Sequence, residues 1–183
     1  LAYWATVSMG ATVVGMNAWW LGAEMIYAME DSEPKVLIAD EATTSLDATI
    51  QYQYLALLKE LQAETGMSII FITHDFGIVA KMCDRVAVMY AGRVAEIADV
   101  RDLFNNPAHP YTEALMRSVP NVDEEVEYLY SIEGQPPALD NLPPGCTFAP
   151  RCPYVFDRCN EAFPDLIQVG DRHSATCWKL AGK

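Results

Sequence analysis

Val36-Leu37-Ile38-Ala39-Asp40-Glu41 is a short apolar run that ends in two carboxylates, and the fold follows from it. An apolar run of this length, bounded by polar residues, is the pattern of a buried strand in a parallel sheet. Asp47 then offers a good N-cap for a helix over residues 48–64, and Gly66 closes it. Ile50, Tyr54, Leu57, Leu58 and Leu61 recur at helical spacing and make its expected buried stripe. Residues 68–72 form the next apolar strand and 75–82 the next helix. Residues 85–90 and 93–98 read as two strands joined at Ala91-Gly92, a tight hairpin turn. Short helices are expected at 100–104 and 111–118. Strands that alternate with helices predict an α/β fold, with a mostly parallel sheet and an antiparallel edge.

Outward from this block the texture changes in both directions. Upstream, residues 2–9 are apolar, 11–16 are strand-like and 22–29 are helical with Met25, Ile26 and Met29 on one side. The first charged residue is Glu24, so residues 1–23 are long enough to span a membrane. Gly10, Gly15, Gly22 and Asn17 punctuate that run, and no Lys or Arg flanks it, so a soluble start is the expectation. The chain begins at Leu1, which suggests a fragment or a trimmed product, and its start lacks the basic residues of a signal peptide. Downstream of Pro120 an acidic stretch holds Asp123, Glu124, Glu125 and Glu127, and seven prolines between 136 and 164 exclude long helices or strands. The organisation expected is therefore 1–35, 36–120 and a loop-rich appended module at 121–183.

The 183 residues carry a net charge of −13 and are 51% hydrophobic. That composition allows a sizeable core. An acidic surface repels phosphate backbones and anionic lipid alike, so no nucleic-acid partner is expected and any membrane link should run through protein.

Asp40 and Glu41 stand at the carboxyl end of a strand, where ligands bind in open α/β sheets. An Asp there can hold the Mg²⁺ of a nucleotide, and an adjacent Glu can polarise an attacking water. Taken alone, the pair is equally readable as a solubilising cap. Thr43-Thr44-Ser45-Leu46-Asp47 follows directly, and Phe71-Ile72-Thr73-His74-Asp75 ends the next strand. In that order the three stretches resemble the Walker B motif, the D-loop and the switch histidine of ABC ATPases. The resemblance implies that Asp40 orders the Mg²⁺ shell, Glu41 is the general base and His74 contacts the γ-phosphate of ATP. Ser45, Leu46 and Asp47 would face a second ATPase subunit across a dimer.

Three further stretches resemble the ATP-hydrolysing subunits of oligopeptide/dipeptide ABC importers: Met82 through Arg93, Asn106-Pro107-Ala108-His109-Pro110-Tyr111-Thr112, and Pro144-Gly145-Cys146-Thr147-Phe148-Ala149-Pro150-Arg151-Cys152-Pro153. The match covers nearly all of residues 36–183. It implies the C-terminal half of an ABC-type P-loop NTPase core, transmembrane permease subunits as partners, and a peripheral place on the cytoplasmic face of a bacterial or archaeal inner membrane.

Cys146, Cys152, Cys159 and Cys177 follow the spacing C-x5-C-x6-C-x17-C, whereas Cys83 stands alone as a small core residue. Clustered thiols in a reducing compartment suggest a metal. Zinc sites usually show Cys pairs two to four residues apart, and this spacing lacks them. Pro153 directly after Cys152 has a parallel in ferredoxin runs. The importer family resembles this pattern and can hold a [4Fe–4S] cluster there. The order of expectation is iron–sulfur, then Zn²⁺, then unligated buried thiols. His173 is a spare ligand candidate, with a surface role the simpler reading.

No G-x-x-x-x-G-K loop occurs in this sequence, and neither a Q-loop segment nor a Leu-Ser-Gly-Gly signature precedes Asp40. ATP hydrolysis by this chain alone is therefore not expected. Residues 1–41 resemble a different family, the N-terminal region of acyl-CoA synthetases, through Ala2-Tyr3-Trp4-Ala5, Gly10-Ala11, Val13-Val14, Asn17-Ala18-Trp19-Trp20, Glu24, Tyr27 and Asp31-Ser32. The stretch 36–41 suits both families, so a chimera joined at that shared word is the expectation.

Overall fold

The computed structural model describes residues 35–44, 46–119 and 130–182. The helices and strand expected within residues 1–34, the ligase-like segment they belong to, and Ser45 lie outside these. The described residues fall into two compact units, one ending at Met82 and one beginning at Cys83.

In the first unit, β1 (Val36–Asp40) and β2 (Ser68–Ile72) pair in parallel, with Val36 opposite Ser68 and Asp40 opposite Ile72. Helix α1 (Ala48–Thr65) connects them, and α2 (Phe76–Met82) follows. Asp47 caps α1 by accepting from the amides of Thr49 and Ile50, at 2.9 and 3.0 Å. Gly66, at φ 68°, closes it in the left-handed conformation that glycine adopts without strain. Asp75 caps α2 through Gly77 N–H at 2.7 Å and Ile78 N–H at 3.2 Å.

The core here is Leu58, Leu61 and Met67, with Leu37, Tyr54, Leu57, Ile69 and Phe71 packed against it. Ile50, expected in the buried stripe, is exposed because it sits in the first turn of α1, before the helix reaches the sheet. The strands differ from the expectation of burial on both faces. Leu37, Ile69 and Phe71 face α1, whereas Val36, Ile38, Ile70 and Ile72 are exposed, the period-2 alternation of a sheet covered on one side.

In the second unit, β3 (Arg85–Tyr90) and β4 (Arg93–Asp99) form the expected hairpin. Ala91 and Gly92 both take positive φ, 47° and 76°, as a type I′ turn requires. The sheet order is β3-β4-β6-β5, all antiparallel, with β5 (Ile167–Gly170) and β6 (His173–Ala175) coming from the appended module. The fold is α/β as expected, but the described strands form one parallel pair and one antiparallel sheet rather than a mostly parallel sheet with an antiparallel edge. The expected loop-rich module donates a hairpin that extends the antiparallel sheet. Helices α3 (Val100–Asn105), α4 (Pro110–Ser118) and α5 (Asp157–Glu161) complete the unit, with 3-10 turns at Ala149–Arg151 and Trp178–Leu180.

The second core joins Val88, Ala98 and Leu103 with Val86, Tyr111, Leu115 and Met116. Phe148, 1% exposed, packs its ring 5.3 Å from both Tyr90 and Tyr111, so the Cys module is pinned to β3 and α4 by an aromatic cluster. Arg151 adds three bonds from one guanidinium: to the carbonyls of Glu133 and Ile132, each at 2.8 Å, and to the Tyr90 hydroxyl at 3.2 Å. Among the described residues no helix is long and apolar enough to cross a membrane.

Candidate functional site

The parallel register explains how two residues 33 apart in sequence come to meet. Asp40 pairs with Ile72, and Glu41 N–H continues the ladder to the Ile72 carbonyl at 2.9 Å. Glu41 and His74 therefore emerge side by side at the carboxyl ends of adjacent strands, with His74 Nδ1 3.1 Å from Glu41 Oε1. Thr44 Oγ1 donates to the other carboxylate oxygen at 2.5 Å. The backbone at Glu41 is left-handed, φ 48°, a conformation that costs a residue with a Cβ about 1–3 kcal/mol and that clusters at functional sites.

Both side chains are open to solvent, His74 at 78% and Glu41 at 43% exposure. The Thr44 hydroxyl first, and then His74, hold the Glu41 carboxyl below the usual range, while the Glu41 bond raises His74. The pair is thus biased toward carboxylate and imidazolium. Asp40 is exposed at the end of β1 beside this pair. Asp47 serves α1 as its N-cap.

In the second unit, Cys146, Cys152, Cys159 and Cys177 all line one recess of about 330 Å³, part of it open to solvent. His109, Phe148, Tyr154, Phe156 and Trp178 share its walls. The four come from separate elements. Cys146 precedes the Ala149–Arg151 turn, Cys152 follows it, Cys159 sits within α5 and Cys177 follows β6. Cys146 N–H donates to the Cys159 carbonyl at 2.8 Å.

No disulfide links them. Burial is the main cause that raises the thiols of Cys146 and Cys152 and pushes Cys177 up to about 11, and neighbouring thiols of the set add to each shift. Thiolates crowded into one recess would repel one another, and a bound cation would offset that repulsion. Among the described residues no group of three or more His, Cys, Asp or Glu is arranged to hold a metal ion. Each thiolate of a [4Fe–4S] cluster meets a different iron, so such a cluster asks for four Cys around its corners rather than around one ion.

The sequence reading missed one buried polar centre. Glu96 on β4 is wholly buried, and its two oxygens accept from the amides of Ala108, at 2.8 Å, and His109, at 2.9 Å. His173 Nε2 lies 2.7 Å from Glu96 Oε1. His173 is thus a buried partner of Glu96, not the surface residue or spare ligand expected. The signal available was a Glu in an otherwise apolar strand, Val94-Ala95-Glu96-Ile97-Ala98. Cys83, expected in the core, is only half-buried.

Residues 95–159 match the family model described as the C-terminal region of the oligopeptide/dipeptide transporter. The chain is also similar to ATP-binding proteins of peptide transport. It is 51% identical over 146 residues to the dipeptide transport ATP-binding protein DppD of Bacillus subtilis, covering 80% of this chain and 44% of that protein. To the oligopeptide transport ATP-binding protein OppD of Salmonella typhimurium it is 52% identical over 146 residues, covering 80% of this chain and 43% of that protein. To the oligopeptide transport ATP-binding protein AppD of Bacillus subtilis it is 49% identical over 154 residues, or 84% of this chain and 47% of that one. The chain spans less than half the length of these transporter relatives. Among solved structures, cbiO1 from Clostridium perfringens, part of an ABC transporter complex, is 44% identical over 40% of this chain and 30% of that chain, with a TM-score of 0.38.

Proposed function

We propose that residues 36–183 are the C-terminal part of the ATP-hydrolysing subunit of an oligopeptide or dipeptide importer, 36–120 from the ATPase core and 121–183 the appended extension. The observation that carries this reading is the Glu41–His74 contact at the carboxyl ends of two parallel strands. In it, Glu41 is the general base for the attacking water, Asp40 orders the Mg²⁺ shell, and His74 meets the γ-phosphate of ATP. By the D-loop resemblance, Ser45, Leu46 and Asp47 would face a second ATPase subunit. Thr44 and His74 depress the basicity of Glu41. When His74 turns to a phosphate, Glu41 loses one of those donors and becomes the stronger base. The phosphate grip must come from another stretch of polypeptide, since no G-x-x-x-x-G-K occurs in this sequence. Partners would be that second subunit and transmembrane permease subunits, with the chain peripheral on the cytoplasmic face of the membrane. Residues 1–35, with their likeness to acyl-CoA synthetases, we read as a segment joined to this region at 36–41.

The four thiols support a second reading of the same chain, as the holder of an iron–sulfur cluster, with Zn²⁺ as the runner-up. A bound cluster would act as a structural staple between α5, the Ala149–Arg151 turn and the end of β6. Protein purified without oxygen should be brown and release acid-labile sulfide. Colourless protein with neither iron nor sulfide removes this reading.

The test of the main reading is a graft. Residues 36–183 replace the matching half of the Bacillus subtilis dipeptide transport ATP-binding protein, and ATP turnover is measured with its permease. Turnover that Glu41→Gln abolishes, with ATP binding kept, is the expected result. A folded graft that binds ATP and never turns over removes Glu41 and His74 from these roles.

A further inference from the structure

We propose that Gly145 is the positioning residue of the four-thiol recess: the space left by its missing side chain lets the Cys146 amide reach the Cys159 carbonyl. This rests on the reading of the four thiols as one ligand set. Gly145 is buried in the 143–147 loop, against the backbone of α5 at Cys159 and Asn160. A Cβ added there would overlap the Cys159 carbonyl oxygen and lie 2.8 Å from Asn160 C and 2.9 Å from Cys159 C. All three atoms are backbone, so no side chain can swing aside to make room. Gly145 does not have a left-handed φ, which separates it from Gly66, Gly92 and Gly134, where the dihedral itself favours glycine. Here glycine is required for space alone.

The consequence falls on two of the four thiols. The Cys146 N–H to Cys159 carbonyl bond, 2.8 Å, holds the two Cα atoms within about 7 Å of each other, close enough for their sulfurs to meet one ligand. Cys152 and Cys177 are placed by other contacts. The Cys152 amide donates to the Ala149 carbonyl at 3.2 Å. Ahead of Cys177, Thr176 N–H donates to the Ala95 carbonyl at 2.9 Å, and its hydroxyl to the Val94 carbonyl at 2.8 Å. A methyl at position 145 therefore pushes α5 off the loop and parts Cys159 from Cys146, while the other two thiols keep their supports.

The test compares Gly145→Ala with Gly182→Ala, where an added Cβ meets nothing within 4 Å. Iron uptake on anaerobic reconstitution of the full chain is one readout. Bridging by dibromobimane, which fluoresces only after joining two close thiols, is the other, made in full chain whose Cys83, Cys152 and Cys177 are Ser. Gly145→Ala should lower iron affinity roughly tenfold or more and lose the bridge, with circular dichroism and Gly182→Ala unchanged. Loading and bridging both equal to wild type would overturn the proposal. If the wild-type chain takes up neither iron nor zinc, the ligand-set reading fails, and bridging alone then decides whether Gly145 sets the spacing. If Gly145→Ala does not fold, amide exchange in the wild-type chain decides. A protected Cys146 N–H supports the contact, and one that exchanges at the unprotected rate overturns it.

Discussion

Glu41 and His74 act on each other before either meets a substrate. Each is solvent-exposed, so their mutual effect is screened and belongs to proton affinity rather than to fold stability. Because the Glu41 bond is the first cause that raises His74, Glu41→Gln should move the His74 midpoint down toward 6.5. A histidine titration followed by NMR reads this directly, and an unmoved midpoint would mean the two side chains are not in contact in solution. Glu96 is the opposite case, a wholly buried carboxylate whose partners are two amides and His173. Glu96→Ala strands two buried N–H groups and leaves His173 without its carboxylate, so it should cost about 3–5 kcal/mol in urea unfolding. A loss below about 1 kcal/mol would show that water or a shifted loop replaces the carboxylate.

At the scale of elements, α4 depends on a neutral histidine. His109 Nδ1 accepts from the Tyr111 amide at 3.0 Å as the helix N-cap, so that nitrogen must be unprotonated, and the Thr176 backbone accounts for the other. Burial lowers the His109 pKa to about 4 from an ordinary 6.5. The unfolded chain then binds the proton more readily than the folded one in that interval. Stability is full above pH 6.5 and falls as the pH drops toward 4, by up to about 3 kcal/mol. His109→Asn keeps a capping oxygen and removes the titration, so its midpoint of unfolding should change less across that window; an equal slope would assign the acid sensitivity elsewhere. The hairpin of β3 and β4 and the parallel pair of β1 and β2 were legible in the sequence because their signals are local: Ala91-Gly92 at the turn, and apolar runs of strand length. The β5–β6 hairpin was not. Its strands are four and three residues long, and β6 is held by β4 from far away in sequence, a pairing no local pattern encodes.

At the scale of the molecule, the candidate site was legible where strand ends carry it and illegible where burial does. Asp40, Glu41 and His74 could be named through the resemblance of their stretches to ABC ATPase motifs, and the parallel register brings Glu41 and His74 together at adjacent strand ends. The convergence of Cys146, Cys152, Cys159 and Cys177 could be suspected from spacing, whereas the Glu96–His173 pair and Gly145 acquire meaning only from the packed backbone around them. Labour within the proposed importer ATPase is divided. On that proposal this chain would supply the groups that act on the γ-phosphate, and the groups that grip ATP would lie elsewhere. The most direct test is Mg²⁺-ATP titration of the purified 183-residue chain by calorimetry, with Glu41→Gln beside it. Neither protein should give binding heat, even at high concentration. Saturable, Mg²⁺-dependent heat would contradict this division, since a phosphate grip would then have to lie within this chain.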